Sequence, residues 1–305
     1  MIIKKGPSFN SKILLFGEYS LMKGSMALSI PYSSLTGQLL FDKSSENKRS
    51  KHYSVVYLLE YLDFIEKNNF ENLIDISSFK SDLGNGLFFE CNIPISYGLG
   101  SSGAIVASIY DAYAKNPTTE LDELKSIFSK MESYYHGKSS GLDPLVSYLN
   151  KAILINEKGD LKTVKLPKEN TNSNSGIFLL DTKSVGETQP LVNWFLKEYE
   201  NTDYKNHIQK QLIPLNNKSI SDFLSSNYNS LLDNVKSISE FTFENFKPMI
   251  PSSIEEIWKV GFKTDHYYLK LCGSGGGGMM LGFSNDINKS QTILSNFKIS
   301  RLFEF

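Results

Sequence analysis

A glycine- and serine-rich segment, Pro94 to Ala104 (PISYGLGSSGA), has the composition of a phosphate-binding loop. Its glycines at positions 98, 100 and 103 allow the backbone to approach a ligand closely and to adopt positive φ angles. The serines that follow open a predicted helix, whose first N–H groups have no partner within the helix and can bind phosphate. A hydroxyl beside bound phosphates can also reach Mg²⁺. The Walker A pattern is absent, and a tight turn capped by serine is the structural alternative.

A second glycine-rich segment, Tyr268 to Phe283, has five glycines among the six residues 273–278, between two apolar runs. Each glycine loses backbone entropy on ordering, about 0.5–1 kcal/mol relative to alanine in regular structure. Such a loop is therefore costly unless something must pass close to its backbone. The sequence indicates a close approach of this kind, with a flexible hairpin as the alternative.

Two carboxylates eleven positions apart, Glu132 and Asp143, flank a glycine-containing turn in the segment Met131 to Pro144. Two acids that converge on a phosphate site could hold Mg²⁺ and accept a proton from a substrate. Solvated helix caps are the alternative interpretation of both. Lys12 begins an apolar run, a position that on its own is typical of a surface lysine.

The elements that must position these groups are both strands and helices. Apolar runs predict strands at 12–17, 27–30, 35–41 and 87–93. Apolar residues at helical spacing predict helices at 54–67, 102–116 and 119–135. The polar segment 43–53 predicts a surface loop. Pro31 separates the second strand from the third.

The second half of the chain begins with a hairpin at 151–156 and 161–165, followed by a polar run at 168–176. This run predicts a boundary between two domains, residues 1–168 and 169–305. Beyond it lie a strand at 177–181, helical stretches between 187 and 260, and the last glycine loop between two strands. Strands and helices are mixed without strict alternation, which favours an α+β fold over a doubly wound sheet.

The composition excludes several functional classes. The 305 residues are 40% hydrophobic and 21% charged with a net charge of −1, which gives no support for a nucleic-acid or anionic-membrane partner. The first residues lack a signal-peptide pattern, and no run approaches the ~20 apolar residues that span a bilayer. Two distant cysteines argue against a disulfide framework or a zinc site. We therefore expect a cytoplasmic protein.

Taken together and in this order, these segments resemble the signature motifs of the GHMP kinases. The first motif corresponds to Lys12 to Pro31, the second to Pro94 to Ala104 and the third to Lys270 to Gly278. The stretch Glu132 to Asp143 also resembles the mevalonate kinase segment with the metal-binding glutamate and the catalytic aspartate, at the same interval. Asp181 to Val192 resembles the family segment that closes over the substrate. The resemblance covers most of the chain.

The resemblance implies a two-domain α+β fold: an N-terminal domain like domain 2 of ribosomal protein S5 and a C-terminal ferredoxin-like domain, with the active site between them. It also implies a kinase that uses ATP and Mg²⁺ and phosphorylates a hydroxyl of mevalonate, in isoprenoid precursor synthesis. The expected partner is this small molecule, and the expected state is a monomer or homodimer.

The resemblance also assigns roles to individual residues. It places the ATP phosphates at Gly98, Leu99, Gly100, Ser101, Ser102 and Gly103, and contacts with substrate and phosphates at Gly273, Ser274, Gly275, Gly276 and Gly277. It assigns Mg²⁺ to Glu132 and Ser102, with Ser101 as the alternative hydroxyl. Asp143 would be the base or orienting group for the substrate hydroxyl, and Lys12 would sit beside it, lowering the energy of the aspartate and of a developing alkoxide.

Departures from the family pattern leave the acceptor open. Tyr19 stands where mevalonate kinases usually carry histidine, and many phosphomevalonate kinases have tyrosine there. Gly103 also resembles the phosphomevalonate kinase pattern. The four glycines that end the third motif are instead typical of mevalonate kinases. A phosphorylated acceptor would need extra cations, for which Lys138 and Lys183 are candidates. A homoserine or sugar kinase and a non-catalytic nucleotide-binding sensor also stay open.

Overall fold

The computed structural model describes residues 2–42 and 53–305, whose packing contacts divide the chain into two compact units. The first unit comprises Met1–Lys12, Pro31–Pro94 and Gly100–Lys151, and the second comprises Ile13–Ile30, Ile95–Leu99 and Ala152–Phe305. The chain passes between the units several times, so these units are not two consecutive stretches of sequence. The boundary predicted between residues 168 and 169 therefore stays a prediction.

Both halves of the chain contain strands and helices. The first half contains β1 (Ile2–Lys4), β2 (Phe9–Phe16), β3 (Ala27–Asp42), α1 (Tyr53–Lys67), α2 (Ile76–Gly84), β4 (Leu87–Cys91), α3 (Ser101–Tyr113), α4 (Leu121–His136) and α5 (Leu142–Leu149). The second half contains β5 (Ala152–Ile155), β6 (Leu161–Val164), β7 (Gly176–Asp181), α6 (Thr188–Glu198), α7 (Thr202–His207), α8 (Ile213–Leu224), α9 (Tyr228–Asn245), α10 (Ser252–Thr264), β8 (Tyr267–Leu271), β9 (Met279–Ser284), α11 (Ile287–Ile293) and β10 (Ile299–Glu304). No helix of the described residues is long and apolar enough to cross a membrane.

The first unit packs helices against a short antiparallel sheet. The end of β3 pairs with β1 and with β4, in a register that runs from Gly37 opposite Cys91 to Phe41 opposite Leu87. Helix α3 lies inside this unit and packs on α4 and α5. Its residues from Gly103 to Tyr110 are all buried, which agrees with the largely apolar sequence of this part of the helix.

The long strand β3 corrects one prediction from the sequence. Two strands separated at Pro31 were expected, but β3 is continuous through this proline. Its residues 27–29 pair with β5 and its residues 37–41 pair with β4. Pro31 lies between the segment that pairs with β5 and the segment that pairs with β4, so its missing N–H interrupts neither of these two pairings.

The second unit contains a four-stranded antiparallel sheet in the order β10-β7-β9-β8. Its strands follow the chain order β7, helices, β8, β9, α11, β10, which is the βαββαβ pattern of a ferredoxin-like domain. Phe178, Trp258, Tyr267 and Met280 belong to the core of this unit. This topology confirms the ferredoxin-like prediction, and the mixture of elements confirms the α+β class.

Three other predicted segments have different outcomes. The predicted helix at 54–67 is α1, whereas most of the predicted loop at 43–53 lies outside the described residues. Helix α5, which has Pro144 in its first turn, was not predicted, because the sequence between the two acids indicated only a glycine-containing turn. Proline is tolerated in the first turn of a helix, where its missing N–H has no intrahelical acceptor. This turn places Asp143 at the start of α5.

Candidate active site

The N-terminus of α3 has the geometry of an anion-binding site. Gly100 precedes the helix with a φ of 74°, a left-handed conformation that glycine adopts without strain. The N–H of Ala104 donates to the Gly100 carbonyl at 3.1 Å, so the amides of residues 101–103 precede this first turn of hydrogen bonding. Such amides are directed towards solvent or an anion. The predicted phosphate-binding residues Ser101, Ser102 and Gly103 therefore form the first turn of a buried helix.

Lys12 and Asp143 form an ion pair in the first unit, with Nζ and Oδ1 3.0 Å apart. Strand β2 supplies Lys12, which is only 7% exposed, and the first turn of α5 supplies Asp143. A carboxylate at that position is also stabilised by the positive end of the helix dipole. Lys12 is thus a buried partner of an acid and not the surface lysine that its position alone suggests.

Two glycines make room for this pair. A Cβ atom at Gly100 would lie 2.9 Å from Cγ of Lys12 and 3.4 Å from Oδ2 of Asp143. A Cβ atom at Gly103 would lie 2.7 Å from the backbone carbonyl carbon of Asp143. The close approach of α3 and α5 therefore requires glycine at 103, whichever acceptor the protein uses.

Glu132, near the end of α4, lies beside the start of α3. It is only 2% exposed, and the Ser102 hydroxyl donates to its Oε1 at 2.8 Å, so the structure brings these two predicted metal ligands together. The Ser139 hydroxyl donates to Oε2 in a short contact. Burial and then the Asp143 charge raise the pKa of Glu132 to about 7, against the opposing effects of Ser139, Ser102 and Lys12. Ser139 was missed from the sequence, where only its place between the two acids could have drawn notice.

The oxygen donors at Ser102 and Glu132 suit Mg²⁺. Residues 2–42 and 53–305 hold no group of three or more His, Cys, Asp and Glu side chains suited to a metal. Mg²⁺ in kinase sites is usually held by one or two carboxylates together with substrate phosphates and water. One carboxylate and one hydroxyl at the N-terminus of a phosphate-binding helix fit that pattern.

The glycine-rich loop Gly273–Gly278 lies in the second unit and is closely packed. All five of its glycines have positive φ angles. The N–H of Gly276 donates to the Met249 carbonyl at 2.6 Å, and the N–H of Gly278 donates to the Ser184 carbonyl at 2.7 Å. The loop is therefore held by neighbouring backbone on these sides, which a flexible hairpin would not be.

Part of the first glycine segment also lies against this loop within the second unit. A Cβ atom at Gly98 would lie 2.9 Å from the Cys272 carbonyl oxygen, and one at Gly278 would lie 2.6 Å from Cα of Tyr97. The structure thus places residues 97 and 98 beside both ends of the loop. Leu99 is buried at the edge of this segment.

Two contacts that no local pattern predicts join the first motif to the third. The carboxylate of Glu18 lies 2.5 Å from Nζ of Lys270; the Lys270 side chain is buried and that of Glu18 is 9% exposed. The hydroxyl of Tyr19 donates to the Ser274 carbonyl at 2.6 Å. The sequence indicated only that these residues belong to two family motifs.

Comparisons with known proteins find similarity to GHMP kinases. Residues 61–151 match the family described as "GHMP kinases N terminal domain". A mevalonate kinase of Pyrococcus furiosus is 28% identical over 215 residues, which cover 62% of this chain and 61% of that relative. The match therefore spans less than two thirds of that relative's length. A mevalonate kinase of Methanocaldococcus jannaschii is 23% identical over 93% of both chains.

The fold is also that of a solved kinase structure. The crystal structure of L. major mevalonate kinase in complex with R-mevalonate has a TM-score of 0.66 at 15% identity, covering 94% of this chain and 89% of that one. At this level of identity the likeness shows the fold alone. The predicted two-domain GHMP kinase fold and the resemblance to GHMP kinases, mevalonate kinases among them, are therefore confirmed.

Proposed function

We propose that the protein is an ATP-dependent kinase that transfers the γ-phosphoryl group of ATP to a hydroxyl of mevalonate. The observation that carries the proposal is the ion pair between Lys12 and Asp143, set against the residue that precedes α3. The mevalonate kinases that match the chain, one of them over 93% of both chains, support mevalonate as the acceptor.

Asp143 would accept the proton of the acceptor hydroxyl, or orient that hydroxyl, as it attacks phosphorus. A carboxylate in this role contributes typically about 10²–10⁴-fold to rate. The Lys12 ammonium, paired with Asp143 at 3.0 Å, would stabilise negative charge that develops on the acceptor oxygen. Because phosphoryl transfer depends mainly on positioning and charge neutralisation, these two side chains need little further chemistry.

The amides of residues 101–103 and the glycines before them would bind the ATP phosphates, as a helix N-terminus favours anions. Ser102 and Glu132 are the residues that would hold Mg²⁺, which supplies positive charge to the phosphates in this class of reaction. The Ser139 hydroxyl orients the Glu132 carboxylate from the opposite side. We assign the Gly273–Gly278 loop to contacts with substrate and phosphates.

Phosphomevalonate is the alternative acceptor, and Tyr19 is the residue that favours it. Gly103 no longer counts in its favour, because the packing of α5 explains that glycine. Nor does Lys183 present an unengaged ammonium, since its Nζ donates to the Asn296 carbonyl at 3.0 Å. A sensor that binds nucleotide without turnover is disfavoured by the retention of Lys12, Glu132 and Asp143 together.

The test is ADP release by purified protein with Mg·ATP and a panel of mevalonate, 5-phosphomevalonate, homoserine and galactose. Asp143→Asn should abolish the release, whereas Asp122→Asn, an exposed carboxylate on α4, serves as the matched control. We expect turnover with mevalonate. Turnover with 5-phosphomevalonate alone would identify the alternative acceptor, and ATP binding without turnover on any acceptor would contradict a mevalonate-pathway kinase.

A further inference from the structure

Tyr19 stands in an unusual backbone conformation directly after the first motif's Gly17-Glu18 pair. Its φ is 58° and its ψ is −45°, and it begins the short 3₁₀ turn Ser20–Lys23. A bulky residue with positive φ is uncommon and costs about 1–3 kcal/mol, so the surrounding structure must hold it in place. The conformation directs the ring of Tyr19 into the interior of the second unit.

Aromatic packing fixes the ring. Its centroid lies 4.9 Å from that of Phe195 and 5.5 Å from that of Phe246, within the separations at which aromatic rings attract each other. The side chain is only 6% exposed. Burial, and secondarily the Glu18 charge, raise the pKa of Tyr19 well above its ordinary value, so the hydroxyl keeps its proton.

That hydroxyl donates to the backbone carbonyl of Ser274, the second residue of the Gly273–Gly278 loop, at 2.6 Å. A trans peptide unit is planar, so fixing the direction of the Ser274 carbonyl also directs the N–H of Gly275 the opposite way. Gly275 has a φ of 73° and no side chain to resist rotation of this peptide. The hydrogen bond from Tyr19 thus fixes the direction of the Ser274 carbonyl.

The residue before Tyr19 fixes the strand that leads into the same loop. The Glu18 carboxylate pairs with Lys270 on β8 at 2.5 Å, and Nζ of Lys270 also donates to the Leu271 carbonyl at 3.1 Å. Consecutive residues of the first motif therefore hold the third motif at two points, one before the loop and one within it.

We propose that Tyr19 is a positioning residue for the glycine-rich loop: its hydroxyl sets the orientation of the 274–275 peptide, and so of the Gly275 N–H that is presented to the bound substrate or phosphates. The proposal rests on the function proposed above only in assigning that N–H to a ligand. Because the hydroxyl is taken up by the Ser274 carbonyl, Tyr19 acts on the reaction through the loop and not by touching the acceptor.

Tyr19→Phe tests the proposal, since it removes the hydroxyl and keeps the ring. Tyr267→Phe is the matched control, because the buried Tyr267 hydroxyl donates to the Ile257 carbonyl, also at 2.6 Å and in the same unit, away from the loop. Both variants lose one buried hydrogen bond of the same kind, so a general loss of stability affects both alike.

Two readouts separate the claims. Hydrogen–deuterium exchange of peptides that cover residues 273–278 reports loop order without any substrate. We expect faster exchange there in Tyr19→Phe and wild-type exchange in Tyr267→Phe. Steady-state kinetics with Mg·ATP and the acceptor should show a kcat/KM about 10-fold or more lower in Tyr19→Phe. The reason is that a small misplacement of groups that position the substrate can lower the rate by up to about 10²-fold. Tyr267→Phe should match the wild type.

Equal loop exchange and equal kinetic constants in the two variants would overturn the proposal. Faster loop exchange in Tyr19→Phe, in a protein whose wild type phosphorylates no acceptor, would uphold the positioning of the loop while the proposed function fails. Wild-type turnover with unchanged loop exchange in Tyr19→Phe would uphold the function and reject the positioning role.

Discussion

The ammonium of Lys12 lies 3.0 Å from Oδ1 of Asp143, and Gly100 leaves space for the lysine stem beside them. Lys12 comes from a strand and Asp143 from a helix that begins 130 residues later in the chain. Neither residue type is unusual where it stands in the sequence. Their contact is what turns a buried lysine and a helix-end aspartate into a candidate proton-transfer pair.

The first prediction is that Lys12 and Asp143 act as one unit in catalysis. Lys12→Met and Asp143→Asn should each lower kcat by about 10²-fold or more, and the double variant should lose little beyond the larger single effect, because groups that act together are non-additive. Single-turnover rates of the three variants measure this coupling. Losses that simply multiply would show that the two side chains act independently.

The second prediction concerns the pH dependence of stability in metal-free protein. The pKa of Glu132 is raised to about 7 in the folded state from an ordinary value of 4.5, so the folded state binds more protons between these values. The free energy of unfolding should therefore fall as pH rises through this window. Denaturant titrations in EDTA between these limits measure the slope.

Glu132→Gln should flatten that slope, since the amide does not titrate. Glu123→Gln, an exposed residue of the same helix, should leave it unchanged and serves as the control. A slope that persists undiminished in Glu132→Gln would mean that another group carries the linkage.

The third prediction concerns Gly103. Its replacement by alanine places a methyl group 2.7 Å from the backbone of Asp143, so α5 must shift and carry the aspartate away from its position. Gly103→Ala should lower kcat by about 10-fold or more, as misplacement of reacting groups can cost 10²-fold. Gly84→Ala on α2, where a Cβ meets nothing within 4 Å, is the matched control and should keep full activity. Full activity in Gly103→Ala would show that α3 and α5 tolerate a wider separation.

Much of the fold could be predicted because its signals are local. The periodicity of residues 54–67 and the apolar run after the first glycine segment correspond to α1 and α3. Predictions failed where tertiary context decides: β3 continues through Pro31, between the residues that pair with β5 and those that pair with β4, and α5 accepts Pro144 in its first turn. A propensity read one residue at a time cannot detect either case.

The candidate site also has parts that the sequence could predict and parts that depend on the folded structure. Glycines and acids at characteristic spacings could be recognised, so the hydrogen bond from Ser102 to Glu132 agrees with what the sequence suggested. The contact from Tyr19 to Ser274 joins residues 255 positions apart and has no local signature. Ser139 could be identified as a partner of Glu132 only once the turn between the two acids was folded.

The central claim is that the γ-phosphoryl group of ATP is transferred to mevalonate with the help of Asp143. The most direct measurement is ³¹P NMR of the products formed from Mg·ATP and mevalonate by the wild type and by Asp143→Asn. The account predicts a new phosphomonoester signal that grows with ADP in the wild type and is nearly absent in the variant, which still binds ATP. ADP formed with inorganic phosphate and no phosphomonoester, or equal product from both proteins, would contradict it.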